Sequence, residues 1–221
     1  AADQEAARAA LTDATYDCLI VDYLIPGSGG QQVIDLGMEG ARQNPHPVRL
    51  RGVVTYHATA FRNWIYVQDA SGAQLVIYDS ISESPKAGQL VEVEGVAGVG
   101  AFHTFVRNAK VRVIGQAPMP VPKTAQPQAL AAGAQFGHWV RVRCRIRNVF
   151  RMDEDVVILA TAQNQTFTVW TTTENPAPYP PEWLDAEADI DGIVWTATDA
   201  ANRAIGFRLH SPDAIHVHPV R

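Results

Sequence analysis

The chain has 221 residues, of which 47% are hydrophobic and 19% charged, with a formal net charge of −5. That balance excludes a disordered chain and leaves room for two compact cores. Residues 1–47 hold two basic and seven acidic side chains, residues 48–123 eight and five, and residues 124–221 eight and eleven. Only the middle portion is net basic, short of the excess by which phosphate-binding surfaces declare themselves, so nucleic acid is the unlikely partner on charge alone.

Cys18 and Cys144 are the two cysteines, and their spacing is not that of metal ligands. No stretch approaches the roughly 18 continuous apolar residues of a membrane span. The chain begins at Ala1, and Ala1-Ala2-Asp3 would suit the position just after a small-residue cleavage site, which points to a mature extracytoplasmic product or a fragment.

Asp3 to Leu11 is rich in Ala, Glu and Arg and reads as a short helix. Tyr16 to Gly27 then reads as a buried-type strand ending in a Pro-Gly turn. With Asp22 at the strand end and Pro26, Gly27 and Gly30 following, residues 3–37 resemble part of a response-regulator receiver domain. The resemblance implies a phosphoacceptor role for Asp22; the residues themselves allow a plain turn-capping aspartate. Pro45 and Pro47 end the short helix expected after residue 31, so the first β-domain is expected to start at Val48.

From there the chain carries one pattern twice. Val48-Arg49-Leu50-Arg51-Gly52-Val53-Val54 opens the first run of strands, and Val140-Arg141-Val142-Arg143-Cys144-Arg145-Ile146 opens the second. Each run reaches an acidic strand ending in glycine, Val91 to Gly95 and Ala188 to Gly192, and closes on a Val/Ile alternation at Val111-Arg112-Val113 and Ile215-His216-Val217. In the first run further strands fall at Trp64–Asp69, Ala73–Tyr78, Gln89–Val96 and Ala109–Ile114. Ala117 to Pro127 is a proline-rich linker, followed by a helical turn at Gln128 to Ala134. The second run places strands at His138–Val149, Asp155–Ala160, Gln165–Thr171, Ala186–Trp195, Ile205–Leu209 and Ile215–His218.

Five short antiparallel strands at this spacing fit a small Greek-key barrel of the oligonucleotide/oligosaccharide-binding (OB) type. The expected fold is mainly β: two tandem OB-like barrels with a short α/β N-terminal segment. The expected division is 1–47 for that segment, 48–116 for the first barrel, 117–136 for the linker and 137–221 for the second barrel.

Val48 to Tyr56, Ile65 to Gly72 and Gly88 to Gly95, continued by Gly137 to Val142 and Gly206 to Leu209, resemble the tandem extracytoplasmic sensor region of bacterial two-component sensor histidine kinases. Cys144 stands where the first repeat has glycine. The resemblance implies a periplasmic sensory or docking module, with no catalytic residue and no cofactor to carry over.

The residues supply several candidate sites. Tyr56, Arg62, Trp64 and Tyr66 place aromatics and a base around one hairpin, and alternation puts Trp64 and Tyr66 on one face. Such a face is either a platform for a ligand or a protein partner, or part of a core. Tyr179 and Trp183 lie in the proline-rich loop at 172–183, which either meets a partner or caps a barrel end. Arg141, Arg143, Arg145 and Arg147 share one strand face and offer an anion contact. In an OB-type barrel, however, the first strand pairs with the fourth, and same-parity Glu187, Asp189 and Asp191 would neutralise them, as Glu92 and Glu94 would Arg49 and Arg51. His210, His216 and His218 are a weak zinc signal without a completing carboxylate or thiol, so no metal is expected.

No Gly-x-Ser-x-Gly, His-Glu-x-x-His, phosphate loop or dinucleotide turn is present, and the chain is not expected to be an enzyme. The leading expectation is a non-enzymatic extracytoplasmic module that binds a small molecule or a protein through its barrel loops and the Trp64/Tyr66 face. Two alternatives stand beside it: an accessory subunit of a larger, membrane-associated complex, and a single-stranded nucleic-acid-binding OB protein.

Overall fold

The structure is a computed structural model that describes residues 47–58, 63–70, 72–81, 84–100, 103–152, 155–172, 181–201, 203–212 and 217–220. The receiver-like segment with Asp22, and Arg62, Tyr179 and His216, lie outside the described residues.

Two barrels are built in the same way. In the first, β1 (Pro47–Ala58), β2 (Trp64–Gln68), β3 (Ala73–Ile81), β4 (Gln89–Val99) and β5 (Thr104–Gln116) close in the order β1-β2-β3-β5-β4, with β4 returning to β1. Every pairing is antiparallel except β3 with β5. In the second, β7 (Trp139–Met152), β8 (Asp155–Ala162), β9 (Gln165–Thr172), β10 (Glu187–Thr198) and β11 (Ala204–Ser211) repeat that order, again with the third and fifth strands parallel and the fourth closing on the first. This is the OB-type Greek key expected from the strand spacing. Most inward positions are β-branched or leucine: Val54, Ile65, Val76, Val91 and Val93 help fill one core, and Val142, Ile146, Ile158, Val169, Ile190 and Leu209 the other. Each such side chain contributes about 1.5–3 kcal/mol by leaving water.

Register makes the repeat exact enough to compare residue by residue. Both first strands carry an irregularity two residues past the residue after the glycine position, between Val54 and Tyr56 and between Ile146 and Asn148. Gly52 therefore matches Cys144. A Cβ at Gly52 would lie 2.6 Å from Val67 Cγ1, and the residue matching Val67 in the second barrel is Ala160. The small residue has changed strands, and that makes room for Cys144 as a buried thiol, which burial pushes up to about 12. Gly95 and Gly192 also match: a Cβ would meet the Arg107 carbonyl oxygen at 2.8 Å and the His210 carbonyl oxygen at 3.0 Å, so the fourth strand in each barrel needs glycine where it crosses the fifth.

Two expectations are corrected by the connections. Residues 117–136 are not only a linker: β6 (Lys123–Thr124) pairs with β7, and Ala125 and Leu130, the latter on helix α1 (Pro127–Ala131), belong to the second core. Pro127 at the helix start supplies a preset φ without losing a hydrogen bond. The closing segments also shift: β12 (Val217–Val220) pairs Val217 with Ile190 and His218 with Asp189, so Val111-Arg112-Val113 matches Val217-His218-Pro219, two residues later than the sequence alignment of the repeats placed it.

A candidate cleft beside an aromatic seam

The barrels meet along a seam of aromatic side chains. Tyr56 and Tyr66 point outward from the first barrel, because Val54, Ile65 and Val67 take the inward positions. They pack with Ala58 and Leu75 against Trp139 and Ile193 of the second barrel. The side-chain oxygen of Gln68 accepts the Trp139 backbone N–H at 2.8 Å, so β2 of one barrel satisfies the first donor of β7 in the other. His210 lies within the same cluster, 5.2 Å from the Tyr56 ring and 6.2 Å from Trp64.

That placement corrects the aromatic-platform expectation. Trp64 and Tyr66 do share a face, edge to face at 5.5 Å. Tyr66 is wholly buried and Tyr56 nearly so, which closes the face to any ligand: its occupant is the second barrel. Trp183 sits on a short 3-10 turn (Pro181–Trp183) with its ring in the core of the second barrel, which it caps.

The arginine stripe is satisfied internally. Arg141 donates twice to Asp191, at 2.6 and 2.7 Å, and Arg143 twice to Asp189, at 2.8 and 2.9 Å. Arg145 reaches Glu187 and Arg147 reaches Asp185. The hydrogen bonds from Arg143 hold the Asp189 carboxyl below the usual carboxylate range. His210 and His218 are not brought together: His210 faces Ile193 in the seam, while His218 approaches Asp191 at 3.5 Å. Among the described residues no group of three or more potential metal ligands assembles.

What the structure does assemble is a cleft of about 560 Å³ at one edge of the seam, lined among others by Trp195, Arg208, Phe136, His103, Thr168 and Thr198. Trp195 on β10 is directly opposite Arg208 on β11, and Arg208 is opposite Thr168 on β9, so three neighbouring strands present one row. The Arg208 guanidinium lies 5.3 Å from the Trp195 ring centre and 5.8 Å from that of Trp170, within cation–π range of both indoles. Facing this row, His103 from the β4–β5 turn stacks on Phe136 from the connection, ring centres 3.8 Å apart and 18° from parallel. Burial lowers the His103 imidazole to about 4, so at neutral pH the stack carries no charge; among the described residues Arg208 is the one Lys or Arg side chain lining the cleft. With Phe136 packed on Trp195 at 5.7 Å, the cleft can offer a flat, π-rich group the indole–guanidinium row beside a neutral stack, with threonine hydroxyls for hydrogen bonds.

Sequence reading missed this row. Alternation alone places Thr166, Thr168 and Trp170 outward on β9, but the row exists only through the β9–β11–β10 register and through His103 and Phe136 arriving from outside the second barrel.

No family model and no curated protein matches the chain. Solved structures similar to it include a murine DNA-binding protein bound to double-stranded DNA, with 10% identity over 78% of this chain and 96% of that one and a TM-score of 0.36. Another is p202 HIN1 in complex with a 12-mer double-stranded DNA, with 10% identity over 77% and 92% and a TM-score of 0.37. A third is fission yeast Pot1 with single-stranded DNA, with 10% identity over 80% and 84% and a TM-score of 0.34. The expectation of an extracytoplasmic sensory module, with nucleic acid as the unlikely partner, is corrected here. The Trp64/Tyr66 face on which the sensory reading rested is filled by the second barrel.

Proposed function

We propose that the chain binds single-stranded nucleic acid, with bases stacking in the cleft against the Trp195–Arg208 row. The observation that carries the reading is the guanidinium held between two indoles on adjoining strands and open to a cleft. Every base has a π-face, so a row of this kind takes bases without regard to sequence, and each stacked base contributes about 1–3 kcal/mol. A duplex keeps those faces stacked on one another; a splayed single strand offers them. The threonine hydroxyls at 168 and 198 add donors and acceptors at the cleft wall. Because Arg208 is the single guanidinium there among the described residues, affinity in the cleft comes from stacking more than from phosphate neutralisation.

The test is fluorescence anisotropy with a labelled oligothymidylate and a duplex of the same length. The single strand is expected to bind more tightly than the duplex, and Trp195→Leu to weaken binding by about 5- to 150-fold, the range of one lost stack. A thermal melt run beside it checks that the variant is folded. Equal affinity for duplex and single strand, or a folded Trp195→Leu variant that binds as the parent does, would falsify the reading.

A further inference from the structure

The matched faces of the two barrels carry different charge. On the outer face of β7 and β10 every arginine has its own carboxylate: Arg141 with Asp191, Arg143 with Asp189, Arg145 with Glu187. The corresponding face of the first barrel, over β5, β4 and β1, is arranged in rows by register. Arg112, Glu92 and Arg51 lie side by side, then Lys110, Glu94 and Arg49, and Arg107 stands beyond them opposite Val96. Five cations share two carboxylates, an excess of three positive charges on a chain whose formal charge is −5. Asp79 on neighbouring β3 is the adjoining acidic residue of that edge, and counting it still leaves an excess of two.

Glu92 organises this surface. Its carboxylate is buried and accepts from Arg112, Arg51 and Arg49, which hold it down at about 2. One carboxylate thus aligns three guanidiniums whose side chains remain more than half exposed. Arg107 and Lys110 are exposed and have no carboxylate partner among the described residues. A planar guanidinium already oriented by one carboxylate keeps further N–H donors for a second oxyanion.

Strand β5 joins this face to the cleft. His103, stacked in the cleft, immediately precedes β5, and Arg107, Lys110 and Arg112 follow along the strand at about 3.3 Å per residue. We infer that the outer face of β5–β4–β1 carries the sugar-phosphate backbone of the strand whose bases enter the cleft. Its phosphates run along β5 over Arg107, Lys110 and the Glu92-centred arginines. This rests on the reading of the cleft given above and names a second, independent surface for it.

The test is the salt dependence of binding by the full chain, with oligothymidylate and an abasic strand of the same length as probes. Arg107→Gln with Lys110→Gln removes two cations that hold no ion pair. It is expected to lower the slope of log affinity against log salt by about 1.4, at about 0.7 for each single-strand phosphate released. Trp195→Leu is expected to leave the slope unchanged while weakening binding at every salt concentration. If the double variant binds oligothymidylate with the parent's slope, the phosphate track is overturned and the cleft reading stands. If the abasic strand binds as tightly as oligothymidylate and the double variant loses slope for both, the track is supported and the cleft reading falls. Failure of the parent chain to bind either strand overturns both.

Discussion

The two barrels share a strand order and a register, yet they spend their outer faces differently. The first gives its β1–β2 face, with Tyr56 and Tyr66, wholly to the seam. The second gives part of its β9–β11–β10 face to the seam through His210 and Ile193, and keeps the next row, Thr168, Arg208 and Trp195, on the cleft. At the residues that match Trp195, Arg208 and Trp170, the first barrel has Gly98, Phe105 and Ile77. The electrostatics run the other way, with carboxylates matched one to one on the second barrel and outnumbered on the first. Two copies of one fold thus present an indole–guanidinium row on one and a basic surface on the other, fastened by the face that each copy gives up.

Closure of the barrels differs as well. In the first, one 13-residue strand, β5, spans the whole of β4. In the second, β11 covers residues 193–198 of β10 and β12 covers 187–190. The continuous strand is what allows β5 to link the cleft to the basic face; the second barrel has no equivalent path.

The seam is the sharpest place to break this arrangement. Trp139→Ala removes a buried ring between the barrels and is expected to cost about 3–5 kcal/mol. It should also split a single melting transition into two, which differential scanning calorimetry would read directly. A single transition shifted by under about 1 kcal/mol would mean that the barrels are not energetically joined there.

Acid should act on the cleft first. His103 is held neutral in the fold at about 4 against 6.5 for the free side chain. The unfolded chain therefore binds the proton first as pH falls, and stability that is complete above 6.5 declines toward pH 4 by at most about 3 kcal/mol. His103→Phe should flatten that part of a stability-versus-pH curve measured by urea unfolding. Below it a second decline belongs to the carboxylates. Glu92 is lowered from 4.5 to about 2, so its contribution is present above 4.5 and lost as pH falls toward 2.

The charge comparison predicts unequal ladders. Glu92→Gln strips three guanidiniums of their shared acceptor and should destabilise by about 1–2 kcal/mol. Glu187→Gln breaks one exposed pair and should cost under about 1 kcal/mol in the same denaturation assay. The smallest effect expected is at Tyr66, whose hydroxyl is buried with no hydrogen-bond partner among the described residues and whose phenol burial pushes well above 10. Tyr66→Phe removes an unsatisfied group and should be neutral or stabilising by about 1 kcal/mol, a gain visible in the melting temperature.

Much of the fold was legible from two-residue periodicity. Strand positions, the tandem barrels and the Arg–carboxylate pairing of β1 with β4 and of β7 with β10 all follow from parity once the strand order is OB-type. The closing segments misaligned by two residues because alternation cannot show that the strand matching β5 is divided into β11 and β12. The candidate site was not legible. Tyr66 and Trp64 read alike as platform or core, and only tertiary structure shows that a second barrel covers them. Arg208 and Trp195 lie thirteen residues apart on strands whose pairing brings them face to face, and His103 comes from the other barrel altogether.

The account stands or falls on where a bound strand touches the protein. Photocross-linking of an iodouridine-substituted oligonucleotide to the full chain, with adducts mapped by peptide mass spectrometry, reads this directly. Adducts at Trp195 or Phe136 are the predicted result. Adducts confined to the β7–β8 hairpin or the 3-10 turn at Trp183, with none at the cleft, would contradict it.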